Sequence, residues 1–182
     1  MSLKTLLLLM ACISSPCLYA QELKSFDYYY AHPQVSQEAK EYYAGMFSVN
    51  NSDKAYSVMD SVFTENDETR PFYIYLVCRM LKEANENMMS ELSIICRYLV
   101  ELHPSSLAAV LFAGENYVDE KCREGWAGRI SVELRVTCEK ELMECFKQSR
   151  TTALQNCDSR QKPNLEVLYN MVRKDLNLFQ QG

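Results

Sequence analysis

The chain has 182 residues, 48% of them hydrophobic, and a formal net charge of -5. That length supports a single domain with a sizeable core. The mild acidity argues against nucleic acid and anionic membrane surfaces as partners, because both select basic faces.

Residues 1–20 read as an export signal. Lys4 gives a positive start, Leu6 to Ile13 is an apolar run, and Leu18-Tyr19-Ala20 before Gln21 suits signal-peptidase cleavage. The alternative is lipidation at Cys12, since Leu9-Met10-Ala11-Cys12 resembles a bacterial lipobox. Either route exports the protein, to the periplasm, to an outer-membrane anchor or to the outside. The apolar run is shorter than the ~20 residues a membrane span needs, and no later run is both long and uncharged enough. Residues 21–182 are therefore expected to form one helical domain with no transmembrane segment.

Gln21 to Pro33 is rich in aromatics and is expected to lie as an extended arm, with Tyr28, Tyr29 and Tyr30 as a candidate partner contact, since tyrosine offers apolar area plus a hydroxyl. Ser36 caps a helix to Phe47 whose inward positions are Val35, Ala39, Tyr43, Met46 and Phe47. After the turn at Asn50-Asn51-Ser52-Asp53, a short helix runs to Phe63. Pro71 suits the first position of the next helix, where its missing N–H costs nothing. That helix is apolar on every side from Phe72 to Val77, the mark of an element surrounded by others.

The chain then turns at Asn85-Glu86-Asn87, and Leu92, Ile95, Leu99 and Leu102 form the stripe of a second helix ending at His103-Pro104. Met88 and Met89 fall at the tip of this hairpin, a second candidate contact. A helix with Leu107, Val110, Leu111 and Phe112 follows, then a break at Gly125-Trp126-Ala127-Gly128. Ile130 to Ser149 reads as one long helix with Ile130, Leu134, Cys138, Leu142 and Cys145 inward. Arg150 to Lys162 is polar, and a last helix carries Leu165, Leu168, Val172, Leu176 and Phe179. No segment of any length alternates with period two. The expectation is an all-α, single-domain bundle of about six or seven helices stacked as antiparallel hairpins and braced by disulfides.

Eight cysteines are present, and Cys78, Cys96, Cys122, Cys138, Cys145 and Cys157 lie beyond the signal segment. An even count in an exported chain points to disulfides. Cys78 and Cys96 each lie nine residues from Asn87, so a hairpin turning there pairs them. Cys145–Cys157 ties the long helix to the polar segment, and Cys122–Cys138 remains by elimination. Cys138 and Cys145 cannot join on a straight helix.

No cofactor or metal motif is present: there is no Cys-x-x-Cys, Gly-rich phosphate loop or EF-hand. The two histidines, His32 and His103, each precede a proline and have no neighbouring nucleophile in an exposing turn. Acidic pairs such as Glu139/Glu141 and Asp119/Glu120 read as solvated faces. The chain is therefore expected to be a non-enzymatic protein that binds another protein, of inhibitor or immunity type. The alternatives are a carrier of an apolar ligand between helices, for which nine methionines offer soft lining, and an enzyme of unrecognised type.

Overall fold

The computed structural model describes residues 23–138 and 140–178. The expected signal segment with the candidate lipidation position Cys12, and also Glu139 and Phe179, lie outside the described residues. The fold is all-α, with nine α-helices and one short 3-10 helix among the described residues.

Three short helices come first. α1 (Phe26–Ala31) replaces the expected extended arm, because the Ser25 hydroxyl accepts from the Tyr28 N–H at 3.3 Å and caps it. α2 (Gln37–Tyr43) is capped by Ser36, which accepts from the Ala39 N–H at 3.2 Å. It stops at Tyr43 because Gly45 takes φ 74°, a left-handed conformation that glycine adopts without strain. Met46, expected inward, is left in the following loop and is 73% exposed. α3 (Ser52–Asp60) and the 3-10 helix Ser61–Phe63 complete this part.

α4 (Arg70–Glu83) has Pro71 in its first turn and is buried on nearly every side: Phe72, Ile74, Leu76, Val77 and Met80 are all inaccessible. Each such side chain contributes about 1.5–3 kcal/mol on burial. α5 (Glu86–Leu102) starts at Asn85, whose side-chain oxygen accepts from the Met88 N–H at 3.1 Å. α6 (Pro104–Leu111) follows at once, and Gly114, at φ 103°, lies in the turn after it.

α7 (Glu120–Thr137) runs straight through the expected break at Gly125-Trp126-Ala127-Gly128. It packs against α4, α5 and α9 (Lys162–Leu178), and Trp126 in its middle is fully buried. The long helix expected from Ile130 is in fact two, because Cys138 (φ -127°, ψ 32°) leaves helical geometry and α8 (Leu142–Asn156) starts after it. The split and the extra α1 account for nine helices in place of seven. The Ser131 hydroxyl donates to the Val172 carbonyl and the Arg135 guanidinium to the Asp175 carbonyl, at 3.3 and 3.0 Å. These two contacts advance together along both helices, so α7 and α9 run parallel, with α8 antiparallel between them in sequence. Ser149 on α8 and Tyr169 on α9 share a buried hydroxyl–hydroxyl bond of 2.9 Å.

The disulfides differ from the expected set. Cys78 joins Cys122 (Cα–Cα 5.4 Å) and Cys138 joins Cys145 (6.2 Å). Cys78–Cys96 does not form because α4 and α5 hardly touch, and α7 lies against the cysteine face of α4 instead. Cys138–Cys145 forms because its two cysteines flank the elbow between α7 and α8. This leaves no partner for Cys145–Cys157 or Cys122–Cys138, and Cys96 and Cys157 are buried thiols. The two disulfides point to an oxidising, exported environment.

Candidate functional site

The expected contact residues separate into two groups. Tyr28 and Tyr30 are 39% and 44% exposed, while Tyr29, between them on α1, turns inward and stacks on Phe72 with ring centroids 5.7 Å apart. Tyr28 is tied to Glu68, which accepts from its hydroxyl and raises its pKa. Met88 is buried and Met89 half-buried, because the N-terminal turn of α5 lies against the core rather than forming a free tip. Met88 is therefore a core residue and Met89 packs against the core.

An ordered apolar surface lies elsewhere, on α5. Its inner face buries Leu92, Ile95, Cys96, Leu99 and Val100. Ile94, Tyr98 and Leu102, spaced four apart, line a second stripe and are 39%, 55% and 57% exposed. Residues four apart stack one above the other on a helix, so the three form a continuous ridge. Leu102, expected inward, belongs to this outer ridge. Ridge and core face together make α5 and α6 apolar enough to reach the composition of a membrane span, but they are bent by 111°, and among the described residues no single helix is long and apolar enough to cross a membrane.

Two open grooves flank α9. One, of about 480 Å³, lies between α7 and α9 and is lined by Ala127, Gly128, Val167 and Met171 with Glu120, Glu124, Lys174 and Asp175 at its rim. The other, of about 300 Å³, lies between α8 and α9 beside Phe146 and Arg173.

The titratable groups show the electrostatics of the interior. Burial pushes the Cys96 thiol well up, and burial also raises Cys157, whose sulfur accepts from the Ser105 hydroxyl at 3.8 Å. Both shifts run opposite to the lowered pKa of a reactive thiolate. His103 at the start of α6 is pushed down by desolvation and by the neighbouring Arg70. His32 accepts from the Gln34 N–H at 3.2 Å and stands 3.9 Å from Glu68. Among the described residues no group of three His, Cys, Asp or Glu side chains is placed to hold a metal ion.

Sequence reasoning missed the outer ridge of α5 because a single stripe satisfied the helical pattern there. The signal was present: Ile94, Tyr98 and Leu102 repeat every four residues beside the core stripe. No protein-family model, curated protein or solved structure matches the chain.

Proposed function

We propose that the chain is an exported, non-enzymatic protein that binds another protein through the outer face of α5, in the manner of an inhibitor or immunity-type protein of the periplasm or cell surface. The observation that supports this reading is the exposed ridge Ile94–Tyr98–Leu102. Three large apolar side chains in register on a helix lower solubility unless something covers them, and ordered apolar patches of this kind mark interaction sites. Tyrosine at the centre of the ridge suits such a contact, having a broad apolar ring and a hydroxyl for the rim.

The disulfide Cys78–Cys122 ties α4 to α7, against which α5 packs, and a braced support reduces the entropy lost on binding. The test is photocrosslinking in the source organism's envelope and surroundings, with a benzophenone side chain at position 94, 98 or 102, and at exposed Asp53 as control. A discrete adduct to one other protein from the three ridge positions, absent at Asp53, supports the reading. Equal patterns at all four positions, or no adduct at the ridge, refute it.

A further inference from the structure

We propose that the groove between α7 and α9 receives a cationic amphipathic helix from a protein partner, apolar residues downward and lysines or arginines against Glu120 and Glu124. This surface is distinct from the α5 ridge, and the proposal stands whether or not that ridge binds.

The groove's α7 wall is Glu120, Glu124, Ala127 and Gly128, and its α9 wall is Val167, Met171, Lys174 and Asp175. Both sets repeat at intervals of three and four, so each wall is one helix face about two turns long. At 1.5 Å per residue that is a trough of roughly 12 Å, the form that takes a helical segment lengthwise. Val167 on its edge is 48% exposed.

Its floor is made by a glycine that no neighbour requires. A glycine within a helix costs about 1 kcal/mol relative to alanine. At Gly125 a Cβ would rest against Leu81 Cδ1 at 3.6 Å, an ordinary van der Waals contact with α4. At Gly128 a Cβ would meet nothing within 4 Å and would project into the groove. The glycine therefore serves the depth of the groove and not the packing of the fold.

Its rim selects the sign of the occupant. Glu120 and Glu124 stand one turn apart on the same face, and neither forms a salt bridge among the described residues. Glu120 lies in the first turn of α7, where a carboxylate favours the helix N-terminus; Glu124 lies a turn further on. On the α9 wall Asp175 is 3.6 Å from Arg135, and Lys174 is the single cation of the lining. With Asp175 paired to Arg135, Glu120 and Glu124 outweigh Lys174 among the described lining residues, on a chain whose net charge is -5. A cationic partner is steered toward such a surface.

The test uses the full chain, isotope-labelled, with a short synthetic leucine–lysine amphipathic helix as probe and its leucine–glutamate counterpart as control. The Ala127, Val167 and Met171 methyl resonances are expected to shift with the lysine peptide, and the glutamate peptide to bind at least about tenfold more weakly. Gly128→Leu fills the floor and should weaken binding about tenfold or more. Glu120→Gln with Glu124→Gln, both at exposed positions, should weaken it comparably and flatten its salt dependence. Equal binding of both peptides, shifts confined to other surfaces, or an unaffected Gly128→Leu protein would overturn the proposal. So would groove resonances that move with protein concentration alone, indicating a second copy, or that move on deleting residues 1–22, indicating the chain's own segment.

Discussion

Replacing Cys78 and Cys122 together by alanine removes the covalent tie between α4 and α7. The two are 44 residues apart, and closing a loop of that length restricts the unfolded chain by about 4 kcal/mol. Cys138 and Cys145 are only 7 apart, and the same relation gives about 2 kcal/mol. In a domain of this size each kcal/mol moves the melting temperature by about 2–4 °C. The expected falls are thus about 8–16 °C for the first pair and about 4–8 °C for the second. Circular-dichroism melts in non-reducing buffer read both, and in reducing buffer the variants should converge with the unmodified protein. Trp126 supplies a second readout: its Nε1–H donates to Cys78 Sγ at 3.3 Å and it is the chain's one tryptophan. Disulfides quench neighbouring indoles, so reduction of the folded protein should brighten its emission. The reasoning is refuted if the Cys138–Cys145 pair proves the costlier to remove, or if peptide mapping finds Cys78 joined to Cys96.

Two further outcomes are expected. Ser149→Ala strands the buried Tyr169 hydroxyl that it now meets at 2.9 Å, at a cost of roughly 1–3 kcal/mol in urea unfolding. Adding Tyr169→Phe should recover part of that loss, and a fully additive double variant would show that the bond contributes nothing. Burial raises the pKa of Tyr169 to about 12 from the ordinary 10.0. A hydroxyl shifted this way stabilises the fold fully below pH 10, and the contribution, on the order of 3 kcal/mol, is lost as pH rises through 12. Tyrosinate absorbance from this residue should therefore appear together with loss of helix signal. Full ionisation of the tyrosines in a still-helical protein would contradict it.

Much of the fold is legible in the chain because local chemistry decides it. Ser36 caps its helix through a bond to its own third residue on, Pro71 opens α4, and the all-round apolar run from Phe72 announces a central element. The misreadings share one cause, that the deciding partner is remote in sequence. Gly125 reads as a breaker, yet α7 runs through it because its neighbours Trp126 and Ala127 are buried against remote helices. Symmetry about Asn87 pairs Cys78 with Cys96 only if the two helices lie flat together; α7 takes that place and brings Cys122. The contact surfaces divide in the same way. Tyr28, Tyr29 and Tyr30 are alike as text, but a helix turns successive residues by about 100°, so the middle one faces the core. The α5 ridge needed two stripes to be read from one helix.

The bond between Cys78 and Cys122 also decides what a protease can do. With Cys122 it closes a covalent ring containing all of α5 and α6, the outer ridge included. A single cut anywhere between residues 79 and 121 opens the ring but releases nothing. Cys138–Cys145 guards the elbow in the same way. The segment that carries the α5 ridge can thus be nicked while the chain remains one molecule, with both new ends still tethered to the rest of the fold.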